Sequence, residues 1–258
     1  MITSTHNPKL KLIRALQGRA KERRDAGAFV AEGIRLVEEA YSTNWPFRFI
    51  LYDEVLNKRG SSLVENLKSR GVDCEEVSSG LMKSLSETET PQGLLAVLND
   101  AQLRIPDSLN FVLIPDQIRD PGNLGTLLRT ATAAGVQAVL LPPETTDAFA
   151  PKVVRSGMGA HFRLPIHSMN WEEIEKMLQV AGLKVFIADM NGKSCWETDL
   201  CRPIALVIGG EADGVSESAR KLASQKISIP MSGKIESLNA GVAGNILMFE
   251  VVRQRSNL

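Results

Sequence analysis

The sequence predicts an α/β protein of two modules, the second built on a mostly parallel sheet. Three observations lead there. From residue 109 onward, continuous apolar runs alternate with helical stretches, the pattern of buried strands covered by helices on both faces. Residues 1–99 also mix the two patterns, in shorter and more polar segments. Between them "DAQLRIPDS", residues 100–108, is polar, holds a proline and follows neither period. The reading is a module over 1–99, a connector over 100–108 and a second module over 109–258. A chain of 258 residues is long enough to bury both cores.

In the first module "PKLKLIRALQGRAKERR" reads as a helix. "AEGIRLVEEAYST" reads as a second, with Ile34, Val37 and Tyr41 on one stripe. "FRFILYDE" is a strand, "SSLVENLKSRG" a helix ended by Gly71, and "VDCEEVS" a strand. "GLMKSLSET" is a short helix and "GLLAVLN" a strand. In the second module the strands are "FVLIPD", "AVLLPP", "LKVFIADM", "PIALVIGG" and "KISIPM". Its helices are the stretch after Asp120-Pro121-Gly122-Asn123, then "APKVVRSGMG", "WEEIEKMLQVAG", "SESARKLAS" capped by Ser216, and the closing "SLNAGVAGNILMFEVVRQRS". In such sheets ligands sit beyond the carboxyl ends of the strands.

Composition excludes several classes. Hydrophobic residues are 43% and charged residues 23%, with no apolar run long enough for a membrane span. The N-terminus lacks the apolar core of a secretory signal. Cys74, Cys195 and Cys201 form an odd set without paired spacing, which predicts a reducing, cytoplasmic setting. His6, His161 and His167 show no ligand spacing with any cysteine, so no metal is expected. Net charge is zero, but residues 1–24 carry Lys9, Lys11, Arg14, Arg19, Lys21, Arg23 and Arg24 against Glu22 alone. That patch is either a solvated helix face or a contact for nucleic-acid phosphates.

Three segments stand where a strand runs into a turn. In "RDPGNLGTLLRTATAAG", Pro121 and Gly122 suit a tight turn and Asn123 is placed to cap a helix. Arg129 is the one cation in a run of Leu124, Leu127, Leu128, Ala131 and Ala134. It needs an anionic ligand, a carboxylate partner or a path to water. In "ALVIGGEADGVS", Gly209, Gly210 and Gly214 let backbone approach a ligand, although G-x-G-x-x-G and the Walker pattern are absent from the chain. In "ISIPMSGKIESLNAGVAGNILMFEVV", Pro230 ends the strand and Ser237 or Asn239 caps a helix apolar on nearly all sides. Such a helix belongs in a core or a subunit interface.

In this order, N-x-G-x-x-x-R-x-A (Asn123 to Ala131), G-x-E-x-x-G (Gly209 to Gly214), then I-P-M followed by S-L-N, the chain resembles the SpoU (TrmH-like) RNA methyltransferases of the SPOUT superfamily. "FVAEGIRLVEEA", residues 29–40, is similar to that family's N-terminal domain, which resembles ribosomal protein L30e. The resemblance implies an L30e-like substrate-binding domain followed by a SPOUT domain with a deep trefoil knot. It implies a homodimer through the last helix, and transfer of methyl from S-adenosylmethionine to a ribose 2′-hydroxyl of RNA, 23S ribosomal RNA above all. By position the cofactor residues are Leu206, Gly209, Gly210, Glu211, Ile229, Met231, Leu238 and Asn239. The catalytic residues are Arg129, Asn123, Glu211, Ser237 and Asn239. Lys9, Lys11, Arg14, Arg23, Arg24, Arg155 and Ser156 are the RNA contacts. The alternatives are transfer RNA or a base atom as acceptor, and an RNA-binding protein of this fold that no longer catalyses.

Overall fold

In a computed structural model the described residues are 1–211, 214–233 and 237–256, and the chain forms two compact units. The first comprises Met1–Ala101 together with Phe149–Phe162. Its elements from the N-terminus are α1 (Pro8–Gln17), α2 (Ala20–Ala26), β1 (Ala28–Glu32), α3 (Ile34–Ser42), β2 (Phe47–Tyr52), α4 (Lys58–Ser69), β3 (Cys74–Glu76), α5 (Ser79–Leu85) and β4 (Leu94–Asn99). The sheet order is β1-β4-β2-β3. Strands β1 and β2 run antiparallel to β4, and β3 runs parallel to β2. Leu10, Ile13 and Leu16 of α1 pack with Phe49, Leu51, Leu95 and Val97 of the sheet.

Two expectations for this unit are corrected. The single helix over 8–24 is two, because α1 ends at Gly18 and α2 starts afresh at Ala20. The helix expected from Ala31 begins at Ile34, since Ala28–Glu32 is a strand paired along its length with β4. Gly33 makes the change of direction at φ +100°, where a side chain would be strained. Gln92 Oε1 then accepts from the Ile34 N–H at 2.9 Å.

The second unit comprises Gln102–Ala148 and 163–258. It opens with β5 (Phe111–Asp116), α6 (Pro121–Ala133) and β6 (Ala138–Leu141). Next along the chain, α7 (Pro151–Gly157) belongs to the first unit, where Phe149 and Phe162 join an aromatic cluster with Phe29 and Trp45. The second unit continues with β7 (Ile166–Ser168), α8 (Trp171–Val180), β8 (Lys184–Ser194), β9 (Ile204–Gly209), α9 (Glu217–Leu222), β10 (Gln225–Ser228) and α10 (Ala240–Arg255). All six strands are parallel, in the order β10-β8-β9-β5-β6-β7. Sequence pattern had marked neither β7 nor the full length of β8. Strand order reverses between β5 and β9, and the crevice beyond their carboxyl ends is where such a sheet takes a ligand.

Helix caps follow the side chains. Asp120, not Asn123, caps α6, accepting from the Asn123 N–H at 2.8 Å, so Asn123 sits inside the first turn with its amide uncommitted to capping. Ser216 caps α9 and Asn239 caps α10. Helix α10 packs on α6 through its glycines. A Cβ at Gly244 would lie 2.3 Å from Leu127 Cδ2, closer than any side chain tolerates. Replacing Gly244 with valine should therefore cost about 1–3 kcal/mol by overpacking, read as a lower midpoint in chemical denaturation.

Candidate active site

The middle of β8, the carboxyl ends of β9 and β10 and the start of α10 surround a cavity of about 720 Å³. Of the residues expected there, Gly209, Gly210, Glu211, Ile229, Met231, Ser237, Leu238 and Asn239 line it. The loop after β9 and both described ends of the connection from β10 to α10 thus meet on one space. Leu206 does not reach it; it is wholly buried in the middle of β9. Backbone crowds closely at the rim. A Cβ at Gly209 would lie 2.3 Å from the Gly214 carbonyl carbon, and one at Gly210 would lie 2.5 Å from the Gln117 carbonyl oxygen.

Three polar side chains close into a ring at the cavity edge. Asn123 Nδ2 donates to Glu211 Oε1 at 2.7 Å, and Asn239 Nδ2 donates to the same oxygen at 2.5 Å. Asn239 Nδ2 also lies 3.1 Å from Asn123 Oδ1, while its own Oδ1 accepts from the Val242 N–H at 3.2 Å. Beneath them Asp116, with no exposed surface, accepts from the Ser216 N–H at 2.5 Å and so anchors the far end of the Glu211 loop. Burial pushes the Asp116 carboxyl above its ordinary range.

Arg129 stands apart from this ring. It is exposed, does not line this cavity and has no hydrogen-bond or ion-pair partner among the described residues. Six residues of helix turn it about 120° from Asn123 and carry it roughly 9 Å along the axis. The motif spacing brings Asn123, Glu211 and Asn239 together; it does not bring Arg129 to them within one chain.

The expected RNA contacts divide in the same way. Lys11 and Arg24 are exposed, and Arg14 reaches only weak contacts with the Thr5 carbonyl and Ser84 at 3.3 and 3.5 Å. Arg23 is corrected: it is 6% exposed and donates to the Leu16 and Gly18 carbonyls at 2.6 and 3.1 Å, closing the end of α1. Lys9 is paired with Asp73 and with Glu75 at 3.2 Å. Arg155 lies 3.9 Å from Glu32 and 3.7 Å from Glu87, and Ser156 Oγ donates to the Lys152 carbonyl at 2.7 Å.

Sequence reading missed a charged wall of the cavity. Asp189, at the end of an expected strand, pairs with Lys226 at 2.8 Å and Arg220 at 3.7 Å, and all three line the cavity. Its place at the carboxyl end of that expected strand was the available signal. The Lys226 hydrogen bond holds the Asp189 carboxyl below its ordinary range. A lowered carboxyl contributes stability above its unfolded value and loses it as pH falls through the folded value. Asp189→Asn should therefore lower stability at neutral pH, and the gap to the parent should shrink in acid, checked by urea denaturation at pH 7 and pH 3.

Comparison with known proteins places both halves of the chain in one family. The SpoU rRNA Methylase family matches residues 110–249, and the MRM3-like substrate binding domain matches residues 7–96. The Bacillus subtilis 23S rRNA (guanosine(2553)-2′-O)-methyltransferase is 35% identical over 251 residues, covering 97% of this chain and 98% of the relative. Among solved structures, the AdoMet-bound rRNA methyltransferase of Sinorhizobium meliloti superposes with a TM-score of 0.87 at 31% identity, over 98% of this chain and 97% of its own. The SpoU methyltransferase AviRb of Streptomyces viridochromogenes gives 0.88 at 28% identity, over 97% and 98%. Among the described residues no helix is long and apolar enough to cross a membrane, and no group of side chains is gathered to hold a metal. With the loops after β9 and β10 meeting on one cavity and both halves matched, the chain belongs to the SpoU rRNA methylase family.

Proposed function

We propose that this protein transfers a methyl group from S-adenosylmethionine to a ribose 2′-hydroxyl of 23S ribosomal RNA. The observation that carries the reading is the ring of Asn123, Glu211 and Asn239 on the edge of a large, mixed cavity. The cavity suits the cofactor. Ile229, Met231 and Leu238 offer an apolar slot for a purine, glycine backbone offers hydrogen bonds, and the Glu211 carboxylate suits a cationic sulfur. When bound, the cofactor supplies a methyl carbon made electrophilic by its sulfonium.

The remaining work falls to this chain. Glu211 holds the amides of Asn123 and Asn239 in place, and Ser237 and Asn239 hydrogen-bond acceptor or cofactor. Arg129, which lies apart from the ring of its own chain, serves the ring of the second copy in a dimer, where its exposed guanidinium holds an acceptor phosphate and stabilises the developing alkoxide. It is not the base, because a guanidinium keeps its proton in proteins. Lys11, Arg14 and Arg24 present exposed cations to RNA, and Arg155 with Ser156 adds to that surface. The ribosomal substrate is favoured because the B. subtilis relative, named for 23S rRNA, matches both modules rather than the catalytic half alone. The trefoil knot fits the convergence of loops at 209–211, 229–231 and 237–239.

The protein acts as a homodimer through α10. Val242, Ile246 and Phe249 line one side of that helix and are 45%, 37% and 50% exposed. Spacings of four and three residues put them in one stripe, which a second copy would cover. The cytoplasm fits the unpaired cysteines and a ribosomal substrate.

Nucleoside mass mapping of RNA from a deletion strain should show one 2′-O-methyl lost from 23S rRNA. Loss from transfer RNA with 23S rRNA unchanged would contradict the reading. Arg129→Ala should abolish turnover and leave S-adenosylmethionine affinity nearly unchanged; a fully active variant removes Arg129 from the mechanism. Phe249→Glu should halve the mass seen by light scattering.

A further inference from the structure

A second cavity of about 270 Å³ lies against the first, with Gly210, Glu211 and Ala240 common to both. Its remaining walls are Gln117, Ile118, Arg119, Asp120 and Asn123. The partition is thin, because the Gln117 carbonyl approaches Gly210 too closely for any side chain to stand between. Two reactants placed in the two cavities would meet at the ring of Asn123, Glu211 and Asn239.

The loop that forms the new wall is held in an uncommon shape. Gln117 has φ +56°, left-handed and costly for a residue with a side chain. The next strand-end loop braces it. Gln117 N–H donates to Thr145 Oγ1 at 3.1 Å, Thr145 Oγ1 donates to the Pro115 carbonyl at 2.9 Å, and Thr146 N–H donates to the Ile118 carbonyl at 2.9 Å. Glu144, itself at φ +67°, accepts from Gln117 Nε2 at 3.3 Å and pairs with Arg119 at 3.6 Å. Strain maintained by neighbours beside a reaction centre is characteristic of ligand clamps. The Glu144 carboxylate offers the Arg119 guanidinium what a phosphate would offer. Both partners are mostly exposed, so the pair contributes little and a phosphate displaces the carboxylate at small cost.

Resting on the methyl-transfer reading, we propose that the second cavity receives the acceptor nucleotide, with Arg119 on a flanking phosphate other than the one Arg129 holds and the Gln117 amide hydrogen-bonding its base. A side-chain amide carries both donors and an acceptor, which suits the edge of an unstacked RNA base. Glu144 then serves as the stand-in partner of both side chains when RNA is absent.

The test uses the full-length protein, tritiated S-adenosylmethionine and an unmodified 23S rRNA transcript, with cofactor affinity measured separately by calorimetry. Arg119→Ala should raise the KM for RNA about tenfold, as for loss of one charge-assisted contact, and cut the salt dependence of RNA binding by about one ion. Gln117→Gly relieves the backbone constraint while removing the amide, so it should fold and still raise that KM about fivefold to tenfold. Cofactor Kd should stay within about twofold of the parent in both, since neither residue lines the larger cavity. Unchanged RNA KM in both variants, or cofactor affinity falling in step with transfer, would overturn the assignment. Failure of the parent protein to bind S-adenosylmethionine or to methylate the transcript would instead overturn the reading on which it rests.

Discussion

One carboxylate oxygen, Glu211 Oε1, accepts from the amides of Asn123 and Asn239, and so joins three segments far apart in sequence. One is the first turn of the helix after β5, another the loop after β9, and the last the cap of α10. Hydrogen bonds to an ionised acceptor are the strong ones, and here two share an oxygen. Asn239 couples this junction to the rest of the fold, because its own oxygen caps α10. Helix α10 then lies against Asn123 through Gly241, whose Cβ, if present, would be 3.2 Å from Asn123 Oδ1. The α10 cap and the Gly241 contact do not pass through the carboxylate, so removing it frees the two amides and leaves the helix start in place.

The sheet is what makes such a junction possible. Strands β5 and β9 are direct neighbours although β6, β7 and β8 intervene in the chain. Their ends, Asp116 and Gly209, are register partners. From there one loop leads to Asn123 and the other to Glu211, so the two side chains start a few ångströms apart. Asp116 adds a buried tether to Ser216, and Gly214 N–H donates back to the Gly210 carbonyl at 3.1 Å. The Glu211 loop is thereby fixed at its base on both sides, which is the preorganisation that charge stabilisation in a transition state requires.

Much of this was legible from residue pattern. The long apolar runs gave β5, β6 and β9, and the glycines and prolines at their ends marked where backbone would approach a ligand. Short elements were not legible. Ala28–Glu32 and Ile166–Ser168 are too brief for a period to separate strand from helix, and pairing with β4 and β6 decides them. Charge counting failed for a different reason. Arg23 looks like its exposed neighbours in sequence, but it is buried and committed to the carbonyls at the end of α1. Asn123 was misread as a cap because Asp120, three residues earlier, competes for the same orphan N–H. Arg129 shares a motif with Asn123 but not a helix face, and a linear motif carries no angle.

The central claim is that the Glu211 carboxylate organises the reaction centre rather than the fold. The most direct measurement is single-turnover methyl transfer by Glu211→Ala beside its thermal unfolding. The account predicts a loss of about a hundredfold or more in rate, the scale of one removed preorganising group, with a melting temperature close to the parent. Transfer at the parent rate would contradict it.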